Sequence, residues 1–245
     1  MNRIAIVIST VGFHWEELYS AYWVYIDAGA TVSLYTVNGK APKPDPMSLK
    51  PTGPASLMGL GMPSSIAPET ERGRALLAKL ETTVLPLSEM NPDQVDALYL
   101  PGGHGCLFDV NSDKPLHDVI HSLFDKGRLL AAVCHATSTF AFVKHNGRSI
   151  IEGKKITGFP HALDKVLIAA GLVDKSFLPL PMINDDELQK ANADHSFFDE
   201  AKAMVNPMHW VSDLPFITGM GPKSAGSVGA ALVKALNEKS DMARS

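Results

Sequence analysis

Apolar positions in this chain gather into short unbroken runs, and the stretches between them carry apolar residues at helical spacing. The first run, Ile4 Ala5 Ile6 Val7 Ile8, predicts a buried strand over Arg3 to Ser9. Trp15 to Ala28 has helical periodicity and meets Gly29, a residue suited to the left-handed turn that closes a helix. Val32 to Val37 predicts a second strand, so the chain opens as a βαβ unit. Glu69 to Leu80 then reads as an amphipathic helix, Ala97 to Leu100 as a short buried strand, Leu116 to Lys126 as a helix closed by Gly127, and Leu129 to Val133 as another strand. Ile150 to Ile151 and Lys155 to Thr157, separated by Glu152 and Gly153, predict a hairpin. Asp185 to Ala193 predicts a helix capped by Asn184, and Phe216 to Thr218 and Ala225 to Asn237 predict a last strand and a last helix. Uniformly apolar strands are covered on both faces, and their alternation with helices predicts an α/β fold with a mainly parallel sheet between two helical layers.

One stretch fits neither pattern. From Lys40 to Pro68 the chain carries Pro42, Pro44, Pro46, Pro51, Pro54, Pro63 and Pro68 with Gly53, Gly59 and Gly61 among them, which predicts an insertion or small lid. With 245 residues, 45% of them hydrophobic and 20% charged, the chain is expected to form one domain over residues 1–245 around a substantial core. A net charge of -4 without a local Lys/Arg cluster excludes the basic field that nucleic acid requires. Two cysteines cannot make a disulfide framework. The opening apolar run stops at Ser9, without a small-residue cleavage site, and no run reaches the roughly 20 residues of a membrane helix. A cytoplasmic protein with neither membrane nor nucleic-acid partner is expected.

Cys134 is the leading chemical candidate. It ends the run Leu129 Leu130 Ala131 Ala132 Val133 and is followed by His135, Ala136, Thr137 and Ser138, so a strand turns abruptly into a helix at a thiol. Such an elbow points the sulfur out of the carboxyl edge of a parallel sheet, and the free N–H groups and dipole of the new helix favour thiolate and lower its pKa. Cys106, in a glycine-rich loop, reads as a small buried hydrophobe. Two further loops meet the same edge. After the first strand, Glu16 reads as a helix-dipole partner, whereas Glu17 can face the sheet end with a raised pKa and exchange protons. After Leu100, Gly102 and Gly103 either serve a turn needing positive φ or bring the Gly103 N–H, with that of His135, to a developing oxyanion. His161, His195 and His209 have no acidic residue two positions on, which argues against a glutaminase-type triad. His117 and His121, four apart, read as solvated surface histidines rather than metal ligands.

Taken together, Glu17 ahead of a helix ending Asp27 Ala28 Gly29, the loop Leu100 Pro101 Gly102 Gly103 His104 Gly105, the elbow Ala132 Val133 Cys134 His135 and the segment Ile151 to Phe159 resemble the ThiJ/PfpI superfamily, which is class I glutamine amidotransferase-like. The proline-rich insertion and Thr157 Gly158 Phe159 resemble its heat-shock chaperone and glyoxalase III branch. The resemblance implies a flavodoxin-like, doubly wound core, a homodimer, and a site built from a Cys, a Glu and a His oriented by an acidic residue. Residue by residue it points to Cys134, Glu17 and His135, with Asp164 as the acidic partner. The elbow departs from the family's frequent Cys-His-Gly-Pro, continuing instead as Ala136 Thr137. The implied activity is conversion of methylglyoxal to lactate with neither cofactor nor metal, through a Cys134 hemithioacetal. Two alternatives stay open: a holdase chaperone using Met47, Leu49, Leu57, Met58, Leu60 and Met62 as an adaptable apolar surface, and an amidase- or deglycase-type hydrolase acting on an acyl substrate.

Overall fold

The computed structural model describes residues 1–49, 64–194 and 205–242. Its strands are β1 (Arg3–Val7), β2 (Thr31–Thr36), β3 (Leu85–Pro86), β4 (Ala97–Leu100), β5 (Leu129–Val133), β6 (Lys144–His145), β7 (Arg148–Ser149), β8 (Trp210–Asp213) and β9 (Phe216–Gly219). Its helices are α1 (Trp15–Asp27), α2 (Pro46–Leu49), α3 (Glu71–Thr82), α4 (Lys114–Asp125), α5 (His161–Ala169), α6 (Asn184–Lys190) and α7 (Ala225–Met242). Seven strands form one sheet in the order β3-β2-β1-β4-β5-β9-β8, every neighbouring pair parallel except β8 with β9. This is the α/β, flavodoxin-like, doubly wound arrangement, and it sets the carboxyl ends of β1, β4 and β5 side by side.

The central strands are apolar throughout because each face meets its own helical layer. Ile4, Ile6, Tyr99, Ala131 and Val133 face one cluster, with Leu18, Ala21 and Tyr25 of α1, Leu76 and Leu80 of α3, and Val228 and Leu232 of α7. The alternate residues Ala5, Val7, Leu98, Leu100, Leu130 and Ala132 face the other, with Leu116, Ile120 and Leu123 of α4 and Leu188 of α6. The period of two is thus intact, although both halves of it are hydrophobic. On the first face α1 and α7 meet closely at Gly229, where an added Cβ would lie 3.3 Å from the Ala21 Cα and 3.5 Å from both Val24 and Tyr25.

The helix expected after Leu129–Val133 is a 3-10 helix over Cys134–Phe142. Two expectations are corrected. The hairpin is β6–β7, not Ile150 to Thr157, because Asn146 and Gly147, with φ of 51° and 80°, supply the two left-handed positions of a tight turn. Asn184 is the first residue of α6 rather than its cap, which is Ile183, and its side chain is committed elsewhere. The antiparallel edge strand β8 and the helix α5 carry no marked sequence signal. In the proline-rich stretch, α2 and a 3-10 turn over Ser64–Ile66 are described, whereas Leu57, Met58, Leu60 and Met62 lie outside the described residues. Among the described residues no helix is long and apolar enough to cross a membrane.

Gly229→Leu is expected to destabilise the fold by about 1–3 kcal/mol by overpacking the α1–α7 contact. In urea unfolding the midpoint should fall with little change of slope. An unchanged midpoint would contradict the close approach.

Candidate active site

The loops after β1 and β4 are joined backbone to backbone. His14 N–H donates to the Gly102 carbonyl at 2.9 Å, and Gly105 N–H donates to that of Gly12 at 3.0 Å. Glycine is required at this seam: Gly103 has φ 106°, and a Cβ there would sit 2.6 Å from both Gly12 O and His14 N. The start of the proline-rich stretch adds a third strand-like contact, with Phe13 N–H on the Lys43 carbonyl at 3.2 Å and Asp45 N–H on the Phe13 carbonyl at 2.8 Å. Asp45 is thereby carried to the sheet edge.

Glu17, in the first turn of α1, is fully buried, and its Oε2 accepts the Gly102 N–H at 2.7 Å. Its carboxyl group is also within hydrogen-bonding reach of the Cys134 sulfur. Burial pushes its pKa up to about 8, against the hydrogen bonds from Cys134 and Gly102, so the group holds its proton at neutral pH. Cys134 has φ 59°, the left-handed conformation rare for a residue with a side chain, and this kink separates the extended Val133 from the 3-10 helix. The turn is held from behind by Thr137, whose hydroxyl lies 2.9 Å from the Cys134 carbonyl, and by Asn184 Oδ1, which accepts Ser138 N–H at 3.1 Å.

The Cys134 sulfur stands 3.2 Å from His135 Nδ1, and His135 Nε2 stands 3.1 Å from both oxygens of Asp164 on α5. The expectation of an exposed thiol with a lowered pKa is corrected. Cys134 is 3% exposed, and burial, then the charge of Glu17, push its pKa up, with the Gly103 N–H acting the other way. The part of this upward push that comes from the Glu17 charge vanishes when Glu17 carries the proton, and a protonated carboxyl can donate to the sulfur. Cys106 is buried and its thiol donates to the Gly103 carbonyl at 3.0 Å, a structural contact.

Sequence reasoning missed two participants. His104, buried, lies tilted against His135 with ring centroids 4.7 Å apart and sits between carboxylates: Nδ1 is 3.4 Å from Asp45 and Nε2 3.5 Å from Asp164. Burial opposes its charge, but Asp164 and then Asp45 outweigh this and raise its pKa to about 9. Asp164 is held well below the usual carboxylate range because His135 and His104 outweigh its burial. His104, His135 and Asp164 bring three donor atoms within 4.8 Å of one another, but the proton on His104 commits Asp164 to an ion pair. The signal for His104 was its place directly after the glycine pair at a strand end; Asp45 had no local signal. Glu16 is held by Lys223, its two oxygens 2.9 and 3.1 Å from Nζ.

Gly103, His104, Cys134 and His135 floor a cavity of about 310 Å³, walled by Met47, Phe159, Leu163, Leu167, Pro207 and Met220 and edged by His14, Glu16 and Lys223. Burial pushes the pKa of His14 down to about 3, so its imidazole is neutral. The structure thus brings Gly103, Cys134 and His135 to the cavity floor, with Glu17 and Asp164 buried behind them. The His135 N–H, second in the 3-10 helix, has no partner within it.

The chain matches the DJ-1/PfpI family over residues 69–234. It is 31% identical to the glutathione-independent glyoxalase HSP31 of Saccharomyces cerevisiae over 164 residues, which take in 65% of this chain and 64% of that protein. It is 27% identical to the glutathione-independent glyoxalase hsp3101 of Schizosaccharomyces pombe, over 91% of this chain and 86% of that one. Its fold is similar to that of glyoxalase III from Candida albicans, with a TM-score of 0.71 and 22% identity over 96% of this chain and 97% of that one.

Asp45→Asn should lower the pKa of His104 from about 9 toward the ordinary histidine value of 6.5. Because a raised histidine pKa adds stability that is full below 6.5 and lost as pH rises through about 9, the variant should also lose less stability over that window than the wild type. Imidazole NMR titration and urea unfolding at several pH values measure the two effects. A His104 pKa unmoved by the substitution would remove Asp45 from the account.

Proposed function

The chain belongs to the DJ-1/PfpI family, and on that footing we propose that it is a glutathione-independent glyoxalase that converts methylglyoxal to lactate with its own side chains and water. The observation that carries this reading is a carboxyl group that keeps its proton up to about pH 8 within reach of the Cys134 sulfur. Moving a carbon-bound proton calls for an acid–base group whose pKa lies near the working pH.

His135 Nδ1, 3.2 Å from the sulfur, takes the Cys134 proton as the sulfur attacks the aldehyde carbon. As the sulfur–carbon bond forms, the carbonyl electrons move to oxygen near the Gly103 and His135 amides, and that oxygen takes the Glu17 proton. Glu17, now a carboxylate, removes the hydrogen from the same carbon to give an enediol and returns it to the neighbouring carbon. His135, oriented by Asp164, gives its proton to the second oxygen as the enediol forms and takes the proton from the first oxygen as the thioester forms. The product is a lactoyl thioester; His135 hands its proton back to Glu17, and water that His135 then activates cleaves the thioester to lactic acid, which ionises to lactate, while the departing sulfur takes the proton from His135 and returns to the thiol. The proposal extends to a cytoplasmic homodimer. In its support, Trp210 on the edge strand β8, with Val205, Met208 and Leu214 beside it in sequence, is an exposed apolar residue of the kind a second copy covers.

Purified protein given methylglyoxal without glutathione should form lactate, and Cys134→Ser should abolish it; equal turnover by the variant would reject the chemistry. Glu17→Gln should lower kcat by about 10²–10⁴. The wild-type kcat/KM should fall as pH rises through about 8, where Glu17 loses its proton and repels the thiolate. A falling limb retained in the Gln variant would assign that titration to another group.

A further inference from the structure

Away from the cavity, His121 and Asp125 stand one turn apart on α4, and His145 at the end of β6 faces them. His145 Nδ1 lies 2.9 Å from Asp125 Oδ1 and 3.4 Å from His121 Nε2, and His121 Nε2 lies 3.7 Å from Asp125 Oδ2. We propose that these three side chains bind a divalent late transition-metal ion of the Zn²⁺ type, which ties the β6–β7 hairpin to α4.

The argument is geometric. Ligand atoms at about 2.0–2.1 Å from a tetrahedral Zn²⁺ stand roughly 3.3–3.4 Å apart. The observed separations, 3.4 Å between the two imidazoles, 2.9 Å from His145 to Asp125 Oδ1 and 3.7 Å from His121 to Asp125 Oδ2, lie about that edge length, and the carboxylate can turn either oxygen to the ion. Protons serve the arrangement poorly: His145 Nδ1 offers one proton or one lone pair and faces two partners, whereas a central cation satisfies all three at once. Two imidazoles with one carboxylate select a late transition metal over magnesium or calcium. The ligands are preorganised by their surroundings. The His145 ring lies against Phe124, with centroids 5.6 Å apart, and Phe124 stacks on Phe216 of the sheet at 6.0 Å. The left-handed pair Asn146 and Gly147 fixes the hairpin next to His145. The side chains are 41–43% exposed, so the fourth coordination position opens to water. His117, which the sequence pairs with His121, is occupied otherwise: its Nε2 lies 2.9 Å from the Asn111 carbonyl and its ring stacks on Phe142. The acidic residue that the sequence reading did not place on this helix face is Asp125.

The test is titration of the chelator-treated full chain with Zn²⁺ by calorimetry and with Co²⁺ by absorption, in the wild type, Cys134→Ala, His121→Ala and His145→Ala. The expected result is one ion per chain at micromolar or tighter affinity, kept in Cys134→Ala and weakened by about tenfold or more in each histidine variant. Bound Co²⁺ should show tetrahedral ligand-field bands without thiolate charge transfer. A hundredfold excess of Zn²⁺ over Kd should raise Tm by about 5–10 °C in the wild type but not in His145→Ala. Since the histidines are half-exposed, the metal-free variants should match the wild type in circular dichroism and Tm. Wild-type affinity in both histidine variants, loss of the ion in Cys134→Ala, or absence of saturable binding would overturn the proposal.

Discussion

The hydrogen bond from the Gly102 amide to the Glu17 carboxyl, 2.7 Å long and wholly buried, is the contact on which the site is built. It joins the first turn of α1 to the loop after β4 and leaves the carboxyl little other polar company, which is why burial governs its proton. Gly102 permits this only because it has no side chain. A Cβ there would stand 2.7 Å from the Val133 carbonyl, 2.8 Å from the Cys134 Cβ and 3.0 Å from Glu17 Oε2. Acid, sulfur and loop therefore share one small volume, and the backbone seam between Gly12 and Gly105 keeps them there.

Behind the sulfur lies a chain of charges that the cavity wall shields from water. His104 holds its proton between Asp45 and Asp164, and Asp164 is left to orient His135 at 3.1 Å. An ionised pair in such surroundings is costly unless every member finds a partner, and here the imidazolium sits between two carboxylates. The proposed glyoxalase chemistry would draw on both halves: a neutral carboxyl able to give and take a proton at carbon, and a fixed imidazole serving the oxygens. Keeping the two tasks on groups with separate surroundings is what lets one site act as acid and base at a single pH.

Much of the frame was readable in one dimension. Ile4 to Val7, Ala97 to Leu100 and Leu129 to Val133 are strands because their apolar runs are too short for buried helices and end at turn residues, and their register in a parallel sheet follows from the helices between them. Cys134 stood out for the same reason, as a polarizable atom at the end of such a run. Local turn chemistry was readable too but was overlooked at Asn146 and Gly147, where it competed with a more hydrophobic pair of segments downstream. Asn184 followed a cap pattern, yet its side chain is drawn to Ser138 across the fold.

The sequence by itself determined the α/β layering, the elbow at Cys134 and the loops that reach the same sheet edge, because each depends on the period of apolar residues or on glycine within a few positions. Tertiary structure alone decided the protonation of the site and the places of His104 and Asp45 in it. The proton on Glu17, the cation at His104 and the approach of Asp45 depend on desolvation and on charges brought together from residues 17, 45, 104, 134 and 164. Such energies depend on separation in space, which residue order does not record.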